Sequence, residues 1–285
     1  MKFFDLFAGI GGFRIALERE GFTCVGFCEI DKWARKLYKA YYNARGEEEY
    51  EDSRKINPED LPDFDILCAG FPCQAFSIAG KRRGFEDTRG TLFFEIARIA
   101  KVKRPTYLLL ENVKGLLSHD EGRTFEIILK TLDELGYDAE WQVLNSKDFG
   151  VPQNRERVFI IGHFRGRSKP RVFPIRERDK IYYKSTKVEE KICKDFQKRE
   201  IAIALLSRQY ANWNGNYVID KGKFRRLTPL ECFRLQGFPD DIYYKAKELG
   251  IPNNQLYKMA GNSVTVQVVQ SIAKKLLKVW SKDAT

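Results

Sequence analysis

This sequence predicts an α/β fold: a parallel sheet covered by helices on both faces, followed by a smaller, charge-dense unit. Three observations carry that reading. Short apolar runs alternate with amphipathic stretches over residues 1–163, the strand–helix alternation of a parallel sheet. A glycine-rich turn, Ala8-Gly9-Ile10-Gly11-Gly12-Phe13, joins the first apolar run to the first amphipathic one. After Arg165 the alternation stops and charged residues crowd the chain.

In order, residues 2–7 read as the first strand and residues 14–20 as a helix. Glycines in the turn between them let the backbone approach a ligand, and the helix start offers free N–H groups. The spacing is not GxGxxG, so a dinucleotide fingerprint is only partly met. Residues 23–28 read as a second strand ending at Glu29, twenty residues after Gly9, where a nucleoside-binding α/β unit places an acid for ribose hydroxyls. A solvated helix start is the alternative for that acid. Residues 32–42 read as a helix whose stripe of Trp33, Leu37, Ala40 and Tyr41 belongs to the core. Residues 47–52 are acidic and read as a surface loop, with Asp52 where a third strand would end.

The run 65–69 reads as a buried strand leading into Gly70-Phe71-Pro72-Cys73-Gln74, and residues 77–90 as a basic, glycine-containing loop. A cysteine at a strand end facing such a loop is where an activated thiol would be placed, and Pro72 partly presets its position. A buried structural cysteine is the other reading. Residues 92–102 read as a helix, and 107–110 as a strand ending in Glu111-Asn112-Val113, whose carboxylate would face a ligand crevice or cap a helix. Residues 121–135 read as a helix with Gly136 at its C′ position, and 141–144 and 158–162 as strands flanking Gln153-Asn154-Arg155-Glu156-Arg157. Thr228-Pro229-Leu230-Glu231 is a capping box with proline at N1, and Gly237-Phe238-Pro239 ends its helix. Gly261-Asn262-Ser263 reads as the start of the last helix. There Val264, Val268, Ile272, Leu276 and Trp280 form a stripe expected to pack back on the first unit.

At 285 residues and 43% hydrophobic content the chain has enough material for a sizeable core. No apolar run is long enough to span a membrane, and the first residues already read as a strand rather than a signal peptide. Six cysteines without CxxC spacing and two histidines argue against a zinc site or a disulfide framework, so a reduced, cytoplasmic protein without a metal is expected. Residues 166–254 hold 20 Lys+Arg against 11 Asp+Glu, which is +9 of the total +11. That concentration suits a polyanion such as nucleic acid, or simply a soluble basic surface.

These motifs, in this order, resemble the C5-cytosine DNA methyltransferases over nearly the whole chain. The run from Asp5 to Phe13 is similar to the family's S-adenosylmethionine turn, Gly70 to Gln74 to its nucleophile motif, Glu111-Asn112-Val113 to its glutamate motif, and Gln153 to Arg157 to its arginine motif. Residues 226–239 and Gly261-Asn262-Ser263-Val264 resemble its two C-terminal motifs. Residues 65–97 look particularly close to small bacterial restriction-modification methylases.

The resemblance implies a Rossmann-like S-adenosylmethionine-dependent methyltransferase sheet with a second, smaller target-recognition domain. The catalytic and cofactor-binding domain would comprise residues 1–165 plus 255–285, and the recognition domain residues 166–254. It implies Cys73 as nucleophile toward cytosine C6, Glu111 as the acid at N3, and Arg157 at O2 with Arg155 nearby, Pro72 and Gln74 flanking the thiol. Asp5, Phe7, Gly9 and Gly11 would serve the cofactor turn, Glu29 the ribose, Ile30 the adenine face by apolar contact, and Asp52 the adenine amino group. Leu92, Asn262 and Val264 would complete that pocket. Ser77, Lys81, Arg82 and Arg83 would lie on a loop closing over double-stranded DNA, whose target base is flipped out. The expected protein is a monomer whose cognate restriction endonuclease is a functional partner only. Three other readings stand beside it: an RNA (tRNA) cytosine C5-methyltransferase, a DNA-binding protein on a catalytically impaired methylase scaffold, and a nicotinamide-dependent dehydrogenase.

Overall fold

The structure, a computed structural model, describes residues 1–44, 46–72, 92–167, 171–180, 201–208, 216–220 and 223–281. Seven strands form the central sheet in the order β3-β2-β1-β4-β5-β8-β6. They are β1 Lys2–Leu6, β2 Thr23–Cys28, β3 Glu48–Tyr50, β4 Ile66–Gly70, β5 Tyr107–Val113, β6 Tyr137–Asn145 and β8 Glu156–Phe164. A short strand β7, Gln153–Asn154, pairs outside the sheet with β9, Ala202–Ile203.

Successive residues of the inner strands feed two different cores, as the period of two requires. Phe3, Cys68, Tyr107, Leu109 and Ile161 face one side; Phe4, Leu67, Leu108, Leu110 and Ile160 face the other. The second side is covered by α3, Leu92–Lys103, and α4, Arg123–Glu134. The first is covered by α1, Gly12–Arg19, α2, Lys32–Tyr42, and four C-terminal helices: α5 Pro229–Arg234, α6 Asp240–Glu248, α7 Asn253–Asn262 and α8 Val266–Ser281. Leu108, Leu109 and Leu110 are fully buried, each contributing on the order of 2 kcal/mol from removed apolar surface.

The sheet is not purely parallel, which corrects the expectation from alternation alone. β1 to β5 run parallel, but β8 is antiparallel to both β5 and β6. Residues 146–155 between β6 and β8 are fewer than the roughly one dozen a parallel crossover takes, so the chain doubles back. Residues 47–52, expected as a loop, include β3, and the helix expected over 121–135 starts only at Arg123, after Asp120 and Glu121 adopt left-handed backbone.

The capping box forms as expected: Glu231 N donates to Thr228 Oγ1 at 3.3 Å and Thr228 N to Glu231 Oε2 at 2.7 Å. Gly136 has φ +87° at the end of α4. The last helix does return to the sheet, with Val268, Ile272 and Leu276 buried and Trp280 edge-on to Tyr107. Gly261 and Asn262, however, end α7, and α8 begins only at Val266. Between β9 and α5 lies a two-stranded antiparallel ribbon, β10 Tyr217–Asp220 with β11 Lys223–Arg226.

Strand order reverses between β1 and β4. In open α/β sheets the ligand crevice lies at such a switch point, outside the carboxyl ends of the strands.

Candidate active site

A cavity of about 370 Å³ opens at that switch point. Its walls come from the residues following β1 (Phe7, Gly9), β2 (Glu29, Asp31) and β4 (Gly70, Phe71, Pro72), and from the end of β5 (Glu111, Asn112, Val113). Arg155 and Arg157 enter from the β8 side, and Lys258, Met259, Gly261, Asn262 and Ser263 from α7 and its exit.

The β1 turn forms one end. Phe7, Gly9 and Gly11 all have positive φ, at +58°, +57° and +82°. No atom lies within 4 Å of where a Gly9 Cβ would stand, so the turn leaves an open cradle over its own backbone. Glu29 closes this end from below: its Oε2 accepts Gly9 N at 2.7 Å and its Oε1 accepts Asp31 N at 2.6 Å. Burial raises the Glu29 pKa, against the opposing pull of those two backbone donors. Asp31 caps α2 through Trp33 N and Ala34 N and pairs with Lys258 Nζ at 2.6 Å.

The other end holds Glu111 and Arg157. The β5–β8 register sets Glu111 opposite Phe159 and Val113 opposite Arg157, which puts Glu111 and Arg157 on one face, a diagonal step apart. Arg157 Nε lies 3.0 Å from Glu111 Oε1. Glu111 is buried, and desolvation pushes its pKa up while Arg157 and then Arg155 pull it down. Asn112 Nδ2 donates to Phe71 O at 2.8 Å and Phe71 N to Glu111 O at 3.3 Å, so the exit of β4 is stitched to β5. The described chain therefore brings Pro72 into the cavity wall, one residue before Cys73.

Arg155 is 3% exposed. Its Nη1 donates to Leu205 O at 3.0 Å, and its Nη2 donates to Gly261 O at 3.2 Å and Ser263 O at 2.8 Å. Burial, reinforced by Arg157, pushes its pKa down to about 9. The guanidinium clamps three carbonyls from two segments, on either side of Asn262.

Of the residues singled out from sequence, Phe7, Gly9, Glu29, Pro72, Glu111, Arg155, Arg157 and Asn262 meet around one cavity. Asp5 does not line it: it is fully buried in β1 and accepts from Tyr38 Oη at 3.1 Å, and burial pushes its pKa up to about 8. Gly11 faces Tyr42 rather than the cavity, and Val264 packs where a Gly12 Cβ would stand. Ile30 sits beside Glu29 with its side chain 60% exposed. Asp52 caps a short turn and binds Arg54 at 2.8 Å, and Leu92 begins α3 half-buried; neither lines the cavity. Cys73, Gln74, Ser77, Lys81, Arg82 and Arg83 lie outside the described residues.

Sequence reasoning missed Asp31 and Lys258, and read Asn112 only as part of the Glu111-Asn112-Val113 motif. A lysine one helical turn before Asn262 was the available signal for Lys258. Among the described residues no group of His, Cys, Asp and Glu side chains is arranged to hold a metal, and no helix is long and apolar enough to cross a membrane.

A Rossmann-like sheet with a glycine cradle, a buried acid at the end of β2 and a carboxylate–guanidinium pair at the end of β5 defines an α/β enzyme built around a nucleoside-type ligand. The sequence matches the profile of the C-5 cytosine-specific DNA methylases over residues 1–205 and 175–278. It is 44% identical to the type II methyltransferase M.NgoBI of Neisseria gonorrhoeae, covering 96% of this chain and 92% of that one. It is 38% identical to the type II methyltransferase M.HhaI of Haemophilus parahaemolyticus, covering 96% and 93%. The fold is like that of the Dnmt2 methyltransferase of S. pombe, with a TM-score of 0.73 at 18% identity over 98% of both chains. The chain belongs to the C-5 cytosine-specific DNA methylase family, and it is a DNA (cytosine-5-)-methyltransferase.

Proposed function

We propose that this chain methylates C5 of cytosine within one specific sequence of duplex DNA, as the modification enzyme of a restriction–modification system. The observation that carries the reading is the pairing of Glu111 with Arg157 beside Pro72, in one cavity with the glycine cradle and Glu29. S-adenosylmethionine fits that cradle: Gly9 leaves open space over the backbone, Glu29 presents acceptors for ribose hydroxyls, and Asn262 lines the wall. When bound, it supplies an electrophilic methyl group.

The protein's own side chains do the rest. Cytosine C5 is a poor nucleophile, because the ring withdraws electrons. The Cys73 thiolate adds to C6, forming a C–S bond and turning the C5=C6 double bond into an enamine, whose C5 would take the methyl group as the methyl–sulfur bond breaks and S-adenosylhomocysteine leaves. Glu111, whose pKa is raised by burial, donates to N3 as negative charge builds there. Arg157 binds O2 and holds the ring plane. Loss of the C5 proton to water then expels the Cys73 thiolate by β-elimination while N3 returns its proton to Glu111, restoring the ring. The base must leave the duplex to reach these groups.

In this reading the chain acts as a cytoplasmic monomer, and the endonuclease shares its target sequence without binding it. Residues 166–254 hold the recognition unit and its excess positive charge, with Leu205 clamped by Arg155 to the exit of α7. Ser77, Lys81, Arg82 and Arg83 supply loop contacts to the DNA.

Base-resolution mapping of 5-methylcytosine tests this. Unmethylated DNA and tRNA are each treated with the purified protein and S-adenosylmethionine, with Cys73→Ala alongside. One methylated DNA context, absent with the variant, is expected. Methylation by Cys73→Ala removes the nucleophile role, and methylation of the tRNA alone replaces DNA as substrate.

A further inference from the structure

Helix α2 touches both halves of the cofactor cradle without lining most of it. At its start Asp31 N and Arg35 Nη1 both bond Glu29, through Oε1 at 2.6 Å and the carbonyl at 2.8 Å. At its end Tyr42 Oη donates to Gly11 O at 3.0 Å and, sharing the same proton, to Ile10 O at 3.2 Å. Tyr42 is absent from the cavity wall, so it meets the glycine turn from behind.

The fit there is close. A Cβ on Gly11 would lie 2.5 Å from the Tyr42 ring, so on this side it is Tyr42 that requires the glycine. The ring is itself held. Arg14 stacks 4.4 Å from its centroid and 5.2 Å from that of Tyr38. Arg14 is 4% exposed and is fixed by Glu47 through two bonds of 2.6 and 2.7 Å and by Glu18 at 2.9 Å. Tyr41 packs edge-on at 4.9 Å. A buried guanidinium held by two carboxylates and two rings is a rigid backing, and rigid backing is what a preorganised ligand loop needs.

We propose that Tyr42 is a positioning residue for S-adenosylmethionine binding: its hydroxyl, backed by Arg14, fixes the Ile10–Gly11 and Gly11–Gly12 peptides and with them the shape of the cradle. This rests on the cofactor reading above. Tyr42 touches no part of the cavity itself and acts only through the turn.

The test is Tyr42→Phe, which keeps the ring and removes one donor. Cofactor affinity is measured by calorimetry on the protein without DNA. The dissociation constant for S-adenosylmethionine is expected to rise about fivefold to tenfold, the worth of roughly one buried hydrogen bond. Amide exchange at residues 9–12 should quicken, and kcat at saturating cofactor should stay within about twofold of the parent. Tyr41→Phe is the control. It makes the same chemical change one residue earlier, at a hydroxyl that donates to Asp241 Oδ1 at 2.9 Å on α6. It should leave cofactor affinity unchanged. Equal affinity in Tyr42→Phe and the parent overturns the proposal, as does an equal loss in Tyr41→Phe. Failure of the parent itself to bind S-adenosylmethionine instead overturns the cofactor reading.

Discussion

Glu111 and Arg157 meet at 3.0 Å across the antiparallel β5–β8 pair, and this contact ties the proton affinity of the carboxyl to the presence of the guanidinium. Burial raises the Glu111 pKa, and Arg157 is the largest influence opposing it. A carboxyl that donates a proton works only while protonated, so the rate should fall as pH rises through its folded-state value. Arg157→Ala removes the opposing charge. The alkaline limb of the single-turnover pH–rate profile should therefore move to higher pH, even as the rate itself drops. A limb that stays in place or moves to lower pH would contradict the coupling. Glu111→Gln should slow the chemical step by about 10²- to 10⁴-fold and leave cofactor affinity near the parent value, as read by single-turnover kinetics and calorimetry.

Asp5 predicts how stability depends on pH. Its carboxyl is buried in β1, and its pKa is raised from 3.8 to about 8. Below the ordinary value both the folded and unfolded forms are neutral. Between that value and about 8 the unfolded chain ionises while the folded one keeps its proton, so the folded state binds more protons and stability falls as pH rises. Above about 8 the slope disappears. Asp5→Asn, which mimics the neutral acid, should flatten this decline, so that it gains on the parent between pH 5 and pH 8 in urea melts at fixed salt (roughly the span over which the carboxyl is charged in the unfolded chain and neutral in the folded one). A variant that tracks the parent across that range would show that Asp5 is ionised in the fold.

Two glycines of one turn should respond differently to the same change. Gly9→Ala adds a Cβ into open space at φ +57°, so its stability cost is the left-handed backbone alone, about 1 kcal/mol. Gly11→Ala adds the same strain at φ +82° and drives the Cβ to 2.5 Å from the Tyr42 ring. It should cost about 2 kcal/mol or more beyond Gly9→Ala. For cofactor binding both should lose, Gly9→Ala by filling the cradle and Gly11→Ala by displacing it. Thermal melts give the first comparison and calorimetry the second; equal melting temperatures would sink the first.

What the chain shows locally was legible in the sequence, and what depends on distant pairing was not. The Thr228–Glu231 box and Gly136 were readable because each is set by neighbours within a turn of helix. Gly9 and Glu29 were readable because one βαβ unit fixes their separation, and they do bond at 2.7 Å. The contact of Glu111 with Arg157 was not, since it needs the β5–β8 register, and nothing in residues 146–155 announces that β8 inserts antiparallel between β5 and β6. Tyr42 shows a different blindness. Apolar periodicity sorts tyrosines by their rings, whereas this one acts through its hydroxyl. Asp5 shares its motif with the cofactor turn yet faces Tyr38, because alternation along β1 turns it away from the crevice.

Arg155 and Arg157 look interchangeable in sequence and are not in structure. Arg157 spends its Nε on Glu111, at the cavity, while Arg155 divides two nitrogens among the carbonyls of Leu205, Gly261 and Ser263. A lysine in place of Arg155 has one compact head on a flexible stem and cannot span carbonyls on opposite sides. At least one buried carbonyl would be left without a donor, and among the described residues no carboxylate lies as close to the ammonium's site as those carbonyls. Arg155→Lys should therefore lower unfolding free energy by about 2–4 kcal/mol, whereas Arg157→Lys, at a partly open site, should lower it by about 1 kcal/mol or less. Because Leu205 lies within the charge-dense segment and Gly261 and Ser263 flank Asn262, Arg155→Lys should also weaken DNA and cofactor binding together. Urea titrations of both variants, followed by separate binding measurements for DNA and S-adenosylmethionine, decide it. Equal stability losses in the two variants, or an Arg155→Lys protein that binds both ligands as the parent does, would remove the clamp from Arg155.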